Sequence, residues 1–161
     1  MKRLFIVGVL SVFLSSCAIL KPTEVKRFAN LDAYKFAFIH SANTISSSVG
    51  GGYVGYGTGG GYAYSQSSSI NPADVISGIL IKKGFVVVGN ITNPKQTFTV
   101  KYGQGGRRNV LGGLGGFTLE VSIQILDSAS QEPLFACTAE GQGDTEADDI
   151  RIAITRCLQD L

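Results

Sequence analysis

The chain has 161 residues, of which 14 are basic and 12 acidic, and it contains three cysteines. Its net charge of +2 is far from the strongly basic balance of nucleic-acid-binding domains, so no nucleic acid is expected as a partner. The length suits a single domain, which can bury most of its unfolded surface without a metal or a dense disulfide framework.

The first segment is short and apolar, with a basic start. Lys2 and Arg3 precede an apolar run over residues 4–14, which is followed by small residues and Cys17. This pattern is typical of a secretory signal peptide, because a membrane-spanning helix needs about 20 apolar residues. Residues 1–16 are therefore predicted to be a cleaved signal peptide, and the mature chain then carries 12 basic and 12 acidic residues.

The end of this segment, Leu14-Ser15-Ser16-Cys17, resembles the lipobox of bacterial lipoproteins. The resemblance implies cleavage before Cys17 and lipidation of that cysteine with palmitate or related acyl chains, so that the protein is anchored in a membrane. Ala18 stands where an aspartate would resemble an inner-membrane retention signal. The resemblance therefore implies sorting to the outer membrane, with the domain on its periplasmic face.

The next segments differ in composition. Residues 17–30 are predicted to be the lipidated cysteine and a polar spacer, and residues 31–161 are predicted to form a single domain. Alternating aromatic side chains at the start of this domain predict a strand over residues 33–40. Residues 46–69 are rich in glycine, tyrosine and serine, a composition that predicts a mobile loop or a loosely held hairpin.

Local signals predict two helices and four further strands. Asn71 and Pro72 are typical of a helix start, and Gly84 followed by an aromatic residue is typical of a helix end. Thr145 and Asp148 resemble a capping box at the start of a closing helix. Apolar runs and alternating apolar residues predict strands over residues 85–88, 97–102, 117–126 and 134–140.

The predicted order is strand, helix, four strands, helix. It indicates an α+β fold, a two-layer sandwich in which a mainly antiparallel sheet of about five strands packs against two helices. At residues 71–80, 83–85 and 141–151 the chain also resembles small uncharacterised envelope lipoproteins of Gram-negative bacteria, which implies this fold and no particular activity. At the level of fold the layout is similar to periplasmic assembly modules such as the curli-secretion and Tol-associated lipoprotein domains.

Three groups of residues are candidates for binding or cross-linking. Arg107 and Arg108 lie in a predicted glycine-flanked loop, residues 103–116, where such a pair is either a solvated hairpin tip or an anion-binding site. The tyrosines of the glycine-rich loop either rest on the domain or form a recognition surface: Tyr53, Tyr56, Tyr62 and Tyr64. Cys137 and Cys157 lie on apolar sides of their elements and either form a disulfide or remain two buried thiols.

Catalytic and metal chemistry has little support in the sequence. His40 is the only histidine, and no cysteine or carboxylate motif accompanies it. The glycine motifs of the loop do not stand directly between a strand and a helix, as a dinucleotide site requires. Glu146, Asp148 and Asp149 have a structural role at a helix start. No metal and no cofactor are therefore expected.

Charge is unevenly distributed along the chain. Residues 21–119 hold ten basic and three acidic side chains, whereas residues 120–161 hold two basic and nine acidic ones. The two stretches either neutralise each other in the folded domain or form a bipolar surface for a partner.

The sequence predicts a lipid-anchored, non-enzymatic envelope module that binds another envelope protein or supports assembly. One alternative is a module that binds a glycan or another small ligand through the tyrosine-containing loop, and a third interpretation is a hydrolase that uses His40. A deep pocket lined by His40 would favour the hydrolase, whereas an exposed sheet edge or apolar patch would favour protein binding.

Overall fold

The computed structural model describes residues 20–40, 70–110 and 116–161, so residues 46–69 of the predicted loop lie outside it. The described residues form one six-stranded sheet and two helices. The strands are β1 (Glu24–Arg27), β2 (Phe36–Ile39), β3 (Val86–Val88), β4 (Thr97–Asn109), β5 (Phe117–Asp127) and β6 (Pro133–Gly141). The helices are α1 (Pro72–Lys82) and α2 (Glu146–Leu158).

The strand order across the sheet is β1-β6-β5-β4-β2-β3. Strands β4, β5 and β6 pair antiparallel, as strands joined by short connections do, and β1 pairs antiparallel with the distant β6. Strand β2 pairs parallel with both β4 and β3, because the connection from β2 to β3 contains α1 and can return the chain to the same end of the sheet. The predicted α+β two-layer sandwich is confirmed, with a sheet that is mixed and has one more strand than expected.

Both helices cover one face of this sheet and contact each other. From Leu119 to Ile125, every second side chain of β5 faces the helices and is buried, whereas Ser122 and Gln124 lie exposed on the opposite face. This alternation puts the hydrophobic core between the sheet and the helices. Its central side chains are Ile76, Leu80, Phe98, Val100, Val121, Ile123, Ile125, Ile154 and Leu158.

The helix ends follow the predicted local signals. The Asn71 side chain accepts a hydrogen bond from the Ala73 N–H at 3.1 Å, and Pro72 occupies the first turn. At the other end of α1, Gly84 has a φ of +94° and the Phe85 N–H donates to the Leu80 carbonyl oxygen at 3.0 Å. The predicted caps of α1 are confirmed, and Thr145 likewise caps α2.

Part of the predicted spacer belongs to the sheet. Residues 24–27 form β1, which pairs antiparallel with β6, with Glu24 opposite Thr138 and Arg27 opposite Phe135. The segment is polar because β1 is an edge strand, of which Val25 packs against the core while its neighbours face solvent. The folded domain therefore begins before the predicted boundary at residue 31.

Strand β4 extends well beyond its predicted end at residue 102. It pairs with β5 as far as Asn109 opposite Phe117, across an irregularity between Gln104 and Arg107. The glycines that favoured a loop are accommodated by this bulge, and the backbone hydrogen bonds of the ladder continue past it. The predicted loop over residues 103–116 is thus wrong for residues 103–109, and Arg107 and Arg108 lie on a strand.

Helix α2 lies unusually close to the end of β6. A Cβ atom on Gly141 would be 1.8 Å from the Asp149 carbonyl oxygen, so only glycine fits at this position. Nearby, Cys137 and Cys157 form a disulfide, with their Cα atoms 5.6 Å apart. This distance lies within the range that a disulfide requires, so the helix-to-sheet spacing does not prevent the bridge.

Candidate functional site

The two outer edges of the sheet differ in character. Strand β1, at one edge, carries the charged residues Glu24, Lys26 and Arg27. Charged side chains on an edge strand oppose pairing with another chain. Strand β3, at the opposite edge, consists of Val86, Val87 and Val88 and carries no charge. Among the described residues, only the β3 edge lacks charges that would oppose the addition of a strand.

The backbone of β3 has one side available for pairing within the described part of the chain. The Val86 N–H donates to the Lys35 carbonyl oxygen at 2.9 Å, next to β2. Because alternate residues of a strand direct their backbone groups to opposite sides, the N–H and carbonyl of Val87 point away from β2. No described strand pairs with that outer side. A strand from another molecule could hydrogen-bond there.

Exposed apolar side chains lie at and next to this edge. Val86 is 54% exposed, Ile81 at the end of α1 is 58% exposed, and Ile91 just after β3 is 38% exposed. Accessible apolar side chains such as these can add contacts to a strand that pairs with β3. The β3 edge thus combines available backbone groups with apolar side chains, and we define the edge site as Ile81, Val86–Val88 and Ile91.

A second group of polar residues surrounds a buried carboxylate at the end of β6. Glu140 is only 3% exposed, and it accepts hydrogen bonds from Nε and Nη2 of Arg108 at 3.0 and 2.6 Å. The backbone N–H of Lys21 donates to the same carboxylate at 3.0 Å. These hydrogen bonds, that from Arg108 above all, lower the pKa of Glu140 from 4.5 to about 2 although burial opposes the shift.

The same cluster binds the N-terminal segment to the domain. Arg156 of α2 donates to the carbonyl oxygens of Glu140 and Lys21, the latter at 2.9 Å. Lys21 thus donates through its backbone N–H to Glu140 and accepts through its carbonyl from Arg156. We call Lys21, Arg108, Glu140 and Arg156 the Glu140 cluster.

Both arginines proposed for anion binding take part in internal ion pairs. Arg107 pairs with Glu146 at the start of α2, and Arg108 pairs with Glu140, which raises the pKa of the Arg108 guanidinium. These pairs and that of Lys21 with Glu140 join the basic stretch of the chain to the acidic one. The two stretches therefore neutralise each other at these positions. A structural role accounts for the arginines without a bound anion.

The remaining candidate residues are distributed as follows. Cys17 and all four loop tyrosines, Tyr53, Tyr56, Tyr62 and Tyr64, lie outside the described residues. His40 is exposed at the end of β2, and no side chain in the described ranges forms a hydrogen bond with its imidazole. The structure therefore brings no catalytic partner to His40 from the described part of the chain.

One open cavity of about 610 Å³ lies at the end of the sheet opposite the Glu140 cluster. Its polar walls include Arg27, Asp32 and Lys83, and its apolar floor includes Phe85 and Phe135. The Lys83 ammonium already donates to the carbonyl oxygens of the last turn of the chain, at 3.0 and 2.9 Å. His40 does not line this cavity, which is open to solvent and does not form an enclosed site for catalysis.

The described residues contain no group of three or more side chains placed to hold a metal ion. None of the helices in the described ranges is long and apolar enough to cross a membrane.

The two edges were not distinguishable from the sequence. Residues 85–88 could be predicted as a strand, but their place at the edge depends on the parallel pairing of β2 with β4. Glu140 had one available signal, since it is the only charged residue of the mostly apolar strand β6. A charge at such a position commonly has a buried partner.

The described residues define a small α+β domain in which one edge strand of the sheet carries no charge. No protein-family description matches the sequence, and no curated protein matches it. Among solved structures, the chain is similar to a PDZ domain protein from Parabacteroides distasonis, with a TM-score of 0.53 and 12% sequence identity. That match covers 87% of this chain and 35% of the other, so this chain spans about a third of that protein's length and shares only its fold.

Two further structures are of PelC dodecamers from Paraburkholderia phytofirmans, one of them a variant. They have TM-scores of 0.48 and 0.49 and sequence identities of 13% and 14%. The matches cover 86% and 85% of this chain and 98% and 96% of those chains. These scores are too low to support a conclusion about this chain.

Proposed function

We propose that this chain is a lipid-anchored, non-enzymatic envelope lipoprotein whose domain binds an extended segment of a partner protein along the β3 edge. The lipid is attached to Cys17, and the domain lies on the periplasmic face of the outer membrane. The observation that carries the binding function is the uncharged β3 edge, with Val86 half exposed and the backbone groups of Val87 directed outward.

Strand addition explains why the two edges differ. Main-chain hydrogen bonds to an edge strand supply affinity, and contacts with alternate side chains supply specificity. Val86 and Ile91 offer apolar contacts to an incoming strand, whereas β1 offers only charged side chains at Glu24, Lys26 and Arg27. The proposed partner segment is therefore extended and apolar on the side that contacts these residues.

The anchor is tested by the substitution Cys17→Ser. Because the serine hydroxyl cannot form the thioether, the variant should lose labelling by radioactive palmitate and should no longer accumulate at mature size in membranes. Cys157→Ser is the matched control: it removes a different sulfur and, although it also breaks the disulfide with Cys137, it should leave the labelling per molecule of protein unchanged. Full palmitate labelling of the Cys17→Ser variant would contradict the anchor.

The binding edge is tested by photo-crosslinking in cells. A photoreactive residue at position 86 of the full lipoprotein should form a discrete adduct with one envelope protein, identified by mass spectrometry, and a photoreactive residue at position 28 should not. For the substitution Val86→Lys, the photoreactive residue is moved to position 91. The adduct should then weaken roughly tenfold, because a lysine on an edge strand opposes pairing. A tenfold loss of binding corresponds to about 1.4 kcal/mol.

Phe28→Lys is the matched control for this substitution. Phe28 is 56% exposed and Val86 is 54% exposed. Both variants therefore place the same charge at apolar positions of nearly equal exposure, near opposite edges of the sheet. Phe28→Lys should leave the adduct unchanged. An adduct that is insensitive to Val86→Lys, or no adduct from either position 86 or 91, would reject strand addition at β3.

A further inference from the structure

One end of the sheet contains the point at which the N-terminal segment joins the domain. Strand β4 ends there at Asn109, β5 begins there at Phe117, and β6 ends there at Gly141. Lys21 is attached to the same end through Glu140. We call this the anchor end, defined by Lys21, Asn109, Phe117 and Gly141.

The attachment of Lys21 leaves little chain between the domain and Cys17. Lys21 is the fourth residue after Cys17, and a fully extended chain spans at most about 14 Å over those four steps. The headgroup layer on one side of a bilayer is about 5–8 Å thick. A spacer over residues 17–30 would instead reach roughly 45–50 Å. A lipid on Cys17 would therefore hold the anchor end at, or within roughly 10 Å of, the headgroups.

The anchor end carries side chains suited to a bilayer interface. Phe117 is 54% exposed although it belongs to the helix-facing row of β5. The side chain of Lys21 is 60% exposed and that of Arg107 is 53% exposed, and Arg107 is paired with Glu146. Aromatic rings are favoured at headgroup depth, and long basic side chains extend to the phosphates. The exposed ring of Phe117 can therefore lie among the lipid headgroups.

We propose that the attachment of Lys21 to Glu140 holds the domain in one orientation, with the anchor end and the ring of Phe117 in contact with the phospholipid headgroups of the membrane that holds the anchor. This inference rests on the lipidation of Cys17 in the proposed function. It places Phe28 and the Val86 end of β3 away from the membrane, since Phe28 pairs with Leu134, about 20 Å along β6 from Glu140. The edge site then faces the periplasm.

The absence of tryptophan from the sequence allows a direct test. Phe117→Trp and Phe28→Trp each introduce a single fluorophore at positions of nearly equal exposure, 54% and 56%, at opposite ends of the sheet. The purified lipoprotein is reconstituted in vesicles of phosphatidylethanolamine and phosphatidylglycerol that contain a headgroup-labelled nitroxide lipid. Emission of the Phe117→Trp variant should be blue-shifted and quenched, and that of the Phe28→Trp variant should be neither.

A longer tether tests the role of the short connection. Insertion of about ten glycine and serine residues after Ala18 leaves the Glu140 cluster intact but lets the domain leave the surface, so the quenching of the Phe117→Trp variant should fall. Equal quenching at both positions in the original protein, or quenching that the insertion leaves unchanged, would overturn the proposal.

The test separates orientation from lipidation. Intact mass of the purified protein reports the acyl chains on Cys17 before any fluorescence is measured. If they are absent, the proposed anchor fails, and a maleimide-bearing phospholipid is coupled to the Cys17 thiol so that the orientation is still measured. The disulfide protects Cys137 and Cys157 from this coupling.

Discussion

Reduction of the Cys137–Cys157 disulfide is expected to lower the free energy of unfolding by about 3 kcal/mol. The bridge closes a 20-residue loop. In the chain-entropy model, the entropy that a loop of this length removes from the unfolded chain raises its free energy by about 3 kcal/mol. For a domain of this size, the melting temperature should fall by roughly 10 °C. Thermal unfolding followed by circular dichroism, with and without reductant, measures the change.

A variant without either thiol is the control for the reductant. The double variant Cys137→Ala/Cys157→Ala should melt at a temperature near that of the reduced protein, and reductant should not shift it further. Both sulfurs are buried in the core, so the double variant also loses some packing. A melting temperature that does not respond to reduction of the native protein, with full alkylation of both cysteines, would show that the bridge does not stabilise the domain.

Acid is expected to destabilise the domain between about pH 4.5 and pH 2 through Glu140. The pKa of this carboxyl is about 2 in the folded protein and 4.5 ordinarily, so its stabilising contribution is complete above pH 4.5 and is lost as the pH falls through 2. A pKa difference of one corresponds to about 1.4 kcal/mol. The loss is about 2–3 kcal/mol, because Arg108 is partly exposed and water screens the pair.

The substitution Glu140→Gln separates this carboxyl from the others. Asp127 also has a lowered pKa, owing mainly to the hydrogen bond from Tyr34, and it contributes to the loss in the same direction. Burial raises the pKa of Asp149, so protonation of Asp149 in acid opposes the loss. Urea unfolding at pH 7 and pH 2.5 should show a smaller pH dependence in Glu140→Gln than in the original protein, and an equal dependence would contradict the assignment.

Features that depend on neighbours in the chain were predictable from the sequence. The cap of α1 needs only Asn71 and Pro72, and the end of α1 needs only Gly84 and the residue after it. The buried row of β5 follows from the two-residue period of a strand. Two helices and an alternating strand then suffice for the α+β class, because each apolar face must pack against another.

Features that depend on residues distant in the chain were decided only by the tertiary structure. A four-residue polar segment becomes β1 because β6 supplies its hydrogen-bond partners, more than 100 residues away. Arg108 was predicted in a loop but lies on β4, because β5 pairs with that part of the strand and Glu140 pairs with the Arg108 side chain. The glycines near Arg108 predict a flexible backbone, but pairing with a neighbouring strand can still order that segment. The stability of a strand comes from contacts with its neighbours, which local propensity does not include.

The candidate site divides in the same way. The sequence by itself predicts a lipobox at Cys17 from a local motif, and it placed Cys137 and Cys157 on apolar faces of their elements. Only the tertiary structure brought those two Cα atoms to 5.6 Å and put three valines, rather than a charged strand, at one edge of the described sheet. The physical reason is that an edge is defined by which strand has no neighbour, and strand order follows from the packing of the whole chain.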